Sequence, residues 1–431
     1  MSKIRYSVCT MLDIKFIKEN PELIKEAIAK KNISFDLDTL LATEEKRKAT
    51  LAGYEAVRTE QNRLSDLISS APDQETRMKF LEESKPLKEQ VQQFEETLRE
   101  VMKEWQGLML QVPNIPDMSA PVGPDEESSV VQKTWGEKTV FPFEPKDHIE
   151  IMLALGLVDF ERGVKVHGFR GYYLKGDGVK LCFAIWNYAM DFWGKRGFNP
   201  VMPPVVTKRE PLMGCGFIPQ GEADIYRAQD DSYFVGTAEV GLMGMYMDEV
   251  LPKEQLPIKM LGFSPCYRLE AGSHAKDVKG LIRVHEFYKL EQVVLCEASH
   301  EESVKWHEEM NSSTEQFIET LGIPYHTLNA STGDMGLGKV KMYDIELWVP
   351  KEEKYREISS ASYFHDFQTR RLGIRYKDEE GKLRYVHSLN CTAIPTPRIL
   401  VSLVENFQQA DGSIRIPEVL VPYMGKDVIS Q

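Results

Sequence analysis

The chain has 431 residues, 42% of them hydrophobic and 28% charged, and a formal net charge of −13. That length supports a sizeable core and two domains. No apolar run reaches the roughly 20 residues of a membrane-spanning helix, and the acidic balance excludes bulk attraction to nucleic acid while leaving room for a local basic patch. The opening "MSKIRYSVCTMLDIKF" lacks the apolar stretch and cleavage site of a secretory signal. The six cysteines, Cys9, Cys182, Cys215, Cys266, Cys296 and Cys391, form no C-x-x-C, so free thiols in a reducing cytoplasm are expected. The nine histidines form no H-E-x-x-H zinc pattern.

In chain order, residues 14–33 predict one short amphipathic helix. Residues 36–70 run without proline and with glycine only at Gly53, and "APDQE" at 71–75 signals a turn. Leu87, Val91, Phe94, Leu98, Val101, Trp105 and Leu108 then recur at alternating steps of four and three, a coiled-coil seam. Two long helices joined by a short turn must lie antiparallel, and at about 1.5 Å per residue they form a rod on the order of 50 Å long. Pro86 is expected to kink or loosen the second helix near its start. Lys46, Arg47, Lys48, Arg58 and Arg63 lie among acids on the outward faces. They read either as a solvated surface or as contacts for an anionic partner.

The proline-rich, acidic stretch "VPNIPDMSAPVGPDEESS" reads as a linker, placed at 113–135 between a helical domain (1–112) and a second domain (136–431). Beyond it, short apolar runs mix with helices in an α+β pattern. A helix near 178–195 carries Val179, Phe183, Trp186, Met190 and Trp193 on one stripe, which suits a core or a dimer face.

Three clusters carry chemistry. In "YRLEAGSHAKDVKGLIRVHEF" (267–287), Arg268 and Glu270 stand two apart, as residues sharing one face of a strand do. Arginine grips phosphate or carboxylate oxygens in a planar fork, Gly272 and Gly280 allow close backbone approach, and Lys276 and Lys279 add charge. Phe287 offers a ring for stacking. Alone, Arg268 and Glu270 also fit a structural ion pair. In "REISS" (356–360), Glu357, Ser359 and Ser360 are hard oxygen donors of the kind that hold magnesium against phosphates. In "NCTAIPTPRILVSLVENF" (390–407), a polar turn from Asn390 to Thr392 leads to Arg398 at a helix start. There the arginine opposes the helix dipole unless an anion binds beside it. No P-loop and no G-x-G-x-x-G is present, so a nucleotide must bind on an antiparallel sheet through arginines.

With these clusters in order, the chain resembles bacterial-type seryl-tRNA synthetases, class II aminoacyl-tRNA synthetases, from about Met11 to Met424. "GFNPVMPP" with Pro204 corresponds to the first class motif, the Arg268 stretch to the second and the Arg398 helix to the third. "GTAEV" (236–240), "TGDMG" (332–336), "DFQTRR" (366–371) and "ENFQQADGSIRIPEVLVPYM" (405–424) resemble family-specific stretches.

The resemblance implies an α+β fold: an antiparallel-sheet catalytic domain behind an N-terminal helical-hairpin arm. It implies ATP and L-serine as substrates, Mg2+, tRNA(Ser) as acceptor with the selenocysteine tRNA left open, a homodimer, and a cytoplasmic protein without a membrane. Arg268 and Arg398 are the expected catalytic residues. The serine pocket is expected from Thr237, Ala238, Glu239, Arg268, Glu291, Asn390 and Thr392. The ATP site is expected over Arg268, Leu269 and Glu270, then Arg283, Val284, His285, Glu286 and Phe287, then Glu357, Ile358, Ser359 and Ser360, with Arg398. Glu357 and Ser360 are implied to hold the metal, and the five basic arm residues to meet tRNA.

The sequence departs from the family in three places. "NCTAIPTPR" has no glycine where a flexible, glycine-rich start is usual, Gly241 replaces a proline after "GTAEV", and "GCGFIPQGEADIY" (214–226) differs from the usual loop. A serine-activating paralogue with a non-tRNA acceptor would lack the arm. A non-catalytic RNA-binding paralogue would have lost Arg268, Glu270, Glu357 or Arg398.

Overall fold

The computed structural model of the chain describes residues 12–271, 277 and 279–431. Cys9, Gly272 and Lys276 lie outside them. The chain divides into two compact units, Ile33–Pro113 with the residues before Lys30, and Lys30–Asn32 with Asn114–Gln431.

The first unit is helical: α1 (Ile14–Glu19), α2 (Pro21–Lys30), α3 (Leu37–Ser69) and α4 (Gln74–Met109). The single helix expected over 14–33 is broken at Asn20, which leaves helical geometry at φ −133°, ψ 50°. Pro21 disfavours the helical conformation in the residue before it and starts α2 at the position where its missing N–H is harmless. Asp36 caps α3 and Asp73 caps α4. The predicted seam is the least exposed line of α4: Val91, Val101 and Trp105 are buried and Leu87, Phe94, Leu98 and Leu108 half-buried. Burying one such aliphatic side chain contributes roughly 1.5–3 kcal/mol. Gly53 is needed because an added Cβ would sit 2.7 Å from the Phe94 ring. α4 continues through Pro86, so the helix is not interrupted there. Pro86 lies on the exposed side, where water can satisfy the carbonyl it frees.

The second unit is built on an eight-stranded sheet. Its strands are β1 (Val130–Trp135), β2 (Asn199–Val201), β3 (Ile258–Tyr267), β4 (Glu286–Cys296), β5 (Tyr325–Asn329), β6 (Lys341–Val349), β7 (Lys354–His365) and β8 (His387–Thr396). Their order across the sheet is β1-β5-β6-β7-β8-β4-β3-β2, antiparallel except for β2 beside β3. Part of the expected linker, Val130–Trp135, is thus an edge strand. Asn114, also in that segment, is buried and donates to Gly338 O (3.1 Å) and Phe364 O (2.8 Å), so its polar groups are satisfied by this unit rather than by water.

α5 (His148–Ala154), α6 (Asp177–Gly194), α7 (Ala238–Gly244), α8 (His300–Leu321), α9 (Phe367–Leu372) and α10 (Arg398–Asn406) pack around the sheet. The expected stripe on α6 divides. Trp193 is fully buried and its Nε1 donates to Ser313 Oγ, and Trp186 Nε1 donates to Thr396 Oγ1 at 3.0 Å. Val179 and Phe183, at the other end, are exposed. No described helix is long and apolar enough to cross a membrane.

Candidate active site

A cleft of about 820 Å³ opens over the middle of the sheet, lined by Thr237, Glu239, Arg268, Glu291, Glu357 and Arg398 among others. β3 and β4 carry one wall. β3 ends at Tyr267, so Arg268 and Glu270 do not share a strand face, as their spacing had predicted. They sit in the connection to β4, and Glu270 takes a left-handed backbone (φ 54°). That turn aims the carboxylate at Arg283, which donates to Glu270 Oε2 at 2.8 Å. Arg268 donates from its backbone to His285 O (2.9 Å) and from Nη2 to Gly236 O (3.3 Å), and its guanidinium lies 5.3 Å from the centre of the Phe287 ring. Leu269 N is held by Asp224 O, in the unusual loop. Val284 is buried, the His285 ring is 2.9 Å from Arg268 O, and Glu286 is exposed. Lys279 is exposed.

Arg398 opens α10, as expected, with no side-chain cap. It donates to Ile282 O and Glu357 O, both at 2.9 Å. Burial, reinforced by the like charges of Arg268 and Arg283, pulls its guanidinium below the ordinary value. The Glu357 and Glu270 carboxylates oppose that shift. A cluster of cations in a half-buried cleft is stable only beside anions, and here Glu270 and Glu357 supply them.

The floor beside it is acidic. Glu239, behind the helix-capping Thr237, is buried and accepts from Gln368 Nε2 at 2.6 Å. Its carboxyl is pushed up to about 7 by burial and by Glu291, against the pull of Gln368, Lys289 and Asn390. Glu291 on β4 lies 2.5 Å from Lys289 Nζ, and Thr392 Oγ1 reaches both, at 3.5 Å and 3.4 Å. Ala238 is buried and offers no polar side chain. The expected polar turn at Asn390–Thr392 is strand: all three residues lie in β8, and a register shift between Thr392 and Ile394 replaces the glycine-rich flexibility that the sequence lacks.

On β7, Glu357 and Ser360 both line the cleft although they stand three positions apart. A regular strand would turn them to opposite faces. The register against β6 shifts between Ile345 and Glu346, so Ile358 is an extra residue and is buried. Ser359 does not belong with them: its hydroxyl is buried and donates to Thr392 O at 2.5 Å. Opposite Ser360 stands Asp344. Its Oδ1 and Ser360 Oγ are buried without a hydrogen-bond partner among the described residues. Burial and Glu357 raise the Asp344 carboxyl well above the carboxylate range.

Lys289, Asp344 and Gln368 were missed by sequence reasoning. Each is one charged or polar residue in an apolar strand or a short helix, and only a run of "EFYKLE" with three charges in six residues hinted at Lys289. Lys31 was missed too. It is buried, lowered to about 7 by burial, and caps the carbonyls of Gly336 (2.8 Å), Leu337 (3.0 Å) and Lys339 (2.6 Å), in the loop that begins at the last residue of "TGDMG". By contrast, Arg370 pairs with Asp366 and Arg371 donates to Met213 O, so "DFQTRR" is mainly scaffold.

Residues 224–407 match the tRNA synthetase class II core domain (G, H, P, S and T), and residues 11–116 match the seryl-tRNA synthetase N-terminal domain. The serine–tRNA ligase of Deinococcus radiodurans is 46% identical over 423 residues, 98% of this chain and 99% of the relative. The chain belongs to the seryl-tRNA synthetase family. The serine–tRNA ligase of Rubrobacter xylanophilus is 39% identical over 97% of this chain and 99% of its own. Among solved structures, the seryl-tRNA synthetase of Pyrococcus horikoshii complexed with ATP aligns with a TM-score of 0.88 at 37% identity, covering 97% of this chain and 99% of that one. The cytoplasmic enzyme of Naegleria fowleri in complex with AMP aligns at 0.84 and 31%, with the same coverage.

In α3, Arg47 is bonded twice to buried Glu44 (2.7 and 3.0 Å) and lies over Trp105 in α4. Arg63 is bonded twice to Glu60 and Arg58 to Gln61. Lys48 is 3.7 Å from Glu44, and Lys46 is exposed. Arg47 is therefore committed to the helix pair more than the other four.

Proposed function

We propose that the chain activates L-serine with ATP and transfers it to the 3′ end of tRNA(Ser). One observation carries this reading: a single cleft holds a cationic half, Arg268, Arg283 and Arg398 beside Phe287, and an anionic half, Glu239 and Glu291 beside Thr392. The first suits a triphosphate with its base, and the second an amino acid's ammonium and hydroxyl. The serine carboxylate attacks the α-phosphorus, the bond to the bridging oxygen breaks, and pyrophosphate leaves seryl-adenylate behind. A ribose hydroxyl of the tRNA terminus then attacks the carbonyl carbon and AMP departs.

Arg268 offsets charge on the α-phosphate, and Arg283 and Arg398 hold the outer phosphates. Glu270 receives the adenine amino group and Phe287 stacks on the ring. Positioning and charge suffice, with no protein nucleophile. Glu357 and Ser360 suit Mg2+, which supplies neutralisation of phosphate charge when bound, and the unpartnered oxygens of Ser360 and Asp344 fit a hard cation. Thr392 pairs the serine hydroxyl, with Glu291 close to the ammonium, and alanine is rejected because the pocket's polar groups would stay unpaired.

Exposed Val166 and Phe183, at 73% and 55%, line an aromatic-walled cavity of about 620 Å³ together with Tyr172, Trp186 and Phe263. We assign this apolar region to the two-fold interface of a homodimer. The arm is assigned to the tRNA body, with Lys46, Lys48, Arg58 and Arg63 as its phosphate contacts, and the working compartment is the cytoplasm, where tRNA is charged. The test is ATP–pyrophosphate exchange with and without serine, followed by charging of tRNA(Ser). Exchange that does not depend on serine would overturn the reading. Exchange without charging would favour the paralogue with another acceptor.

A further inference from the structure

The segment between Gly280 and Arg283 is gripped from both ends of α10. At the start of the helix, Arg398 Nε donates to Ile282 O at 2.9 Å. Near its end lies Glu405, fully buried. One Glu405 oxygen accepts the His148 backbone N–H at 2.9 Å and stands 3.1 Å from His148 Nδ1, and the other accepts the Lys351 N–H at 3.0 Å. The far nitrogen of the imidazole, Nε2, accepts the Leu281 N–H at 3.3 Å. Gly280, at φ 78°, passes so close that a Cβ there would lie 2.2 Å from the same nitrogen.

These contacts fix the tautomer. A peptide N–H points at Nε2, so the lone pair is there and the proton is on Nδ1, facing the carboxylate. His148 is only 5% exposed and does not line the cleft. Two residues beyond Leu281 stands Arg283, bonded to Glu270.

We propose that His148 is a positioning residue for ATP: with Glu405 it forms a carboxylate–imidazole–peptide relay that sets the root of the loop and thereby the placement of Arg283 and Glu270. The inference rests on the proposed role of those two residues in holding ATP. A buried carboxylate and imidazole are costly to desolvate, and a peptide N–H alone could have been capped by a backbone carbonyl. What the relay adds is direction. Orienting partners behind a binding group fix its geometry, and a misplacement of about 1 Å can cost on the order of a hundredfold in a well-tuned site.

The experiment measures ATP binding and serine binding by calorimetry on the full chain, with thermal unfolding as a control. His148→Ala should weaken ATP roughly tenfold or more and leave serine within about twofold, because the serine pocket draws on β4, β8 and α7 instead. His148→Gln, which keeps a donor for Glu405 and an acceptor for Leu281, should recover most of the ATP affinity. Gly280→Ala, displacing the imidazole from the loop side, should repeat the ATP loss, and it carries the test with His148→Gln if the alanine variant does not fold. Unchanged ATP affinity in folded variants overturns the proposal, as does an equal loss for both substrates or a His148→Gln no better than alanine. Arg283→Ala separates the two readings. If it weakens ATP and His148→Ala does not, only the relay fails. If the wild-type chain binds no ATP, or Arg283→Ala leaves binding intact, the assignment of the cleft fails with it.

Discussion

Lys289 Nζ lies 2.5 Å from Glu291 Oε2, and the two side chains are 8% and 2% exposed. A second buried carboxylate, Glu239, is raised by Glu291, and the lysine opposes that shift. Removing one member of a buried pair leaves an uncompensated charge and typically costs about 3–5 kcal/mol. Lys289→Met should therefore destabilise the protein by that order in urea unfolding and weaken serine binding. Lys289→Met with Glu291→Gln should recover stability but not serine use. A single variant that loses less than about 1 kcal/mol would show that the pair is exposed or already broken.

Glu239 predicts a pH dependence with a definite sign. Its folded value, about 7, exceeds the 4.5 of a free glutamate. The raised value means that its contribution to stability is present below about pH 4.5 and is lost as pH rises through 7, up to ~3 kcal/mol in all. Glu239→Gln should flatten that slope. Serine's ammonium favours the ionised carboxylate, so serine should bind more tightly as pH rises toward 7 and release a proton on binding. Calorimetry in buffers of different ionisation enthalpy reads that proton. Serine binding independent of pH between 5.5 and 7.5 would remove Glu239 from the ammonium site.

Arg268 should matter to the chemical step. It lines the cleft, and its present contacts, one carbonyl and one ring face, are weak enough to exchange for phosphate oxygens. Arg268→Ala should lose about 3 kcal/mol or more of transition-state stabilisation, or roughly a hundredfold or more in pyrophosphate exchange. Exchange within a few-fold of wild type would assign that charge to another residue.

The apolar region around Phe183 predicts an oligomeric state. Light scattering at micromolar concentration should give a dimer, and Phe183→Glu should shift it toward monomer with a fall in exchange activity. A fully active monomer would contradict the assignment.

Replacing residues 38–109 by a short flexible turn separates the arm's work from the cleft's. All cleft residues lie beyond it, so serine-dependent exchange should survive. Charging of tRNA should collapse, and the salt dependence of tRNA binding should flatten as phosphate contacts are lost. Within the arm, Arg58→Ala and Arg63→Ala should each reduce that salt slope more than Arg47→Ala, because Arg47 is held by Glu44 and Trp105. Normal charging by the truncated chain would make the arm a spacer. Loss of exchange in a folded product would place part of the active site within it.

The sequence by itself determined the features whose physics is local. The steps of four and three from Leu87 to Leu108 give one apolar line on a helix, and that line is the one buried in α4. Arg398 stands at a helix start because the apolar run that follows it can only begin there. The order of the charged clusters along the chain likewise sufficed to indicate the family. Register and long-range contact were decided only in three dimensions. Whether Glu357 faces Ser360 depends on one extra residue against β6, and alternation read from the sequence would have separated them. Arg268 and Glu270 lie in a connection, where Glu270 takes a left-handed backbone that spacing does not encode. Lys289, Asp344 and Gln368 are single polar residues whose meaning comes from partners such as Glu291, Ser360 and Glu239. The closest of these lie two residues away and the farthest 129, and a buried charge reads as an error in a strand until its counter-charge is brought beside it.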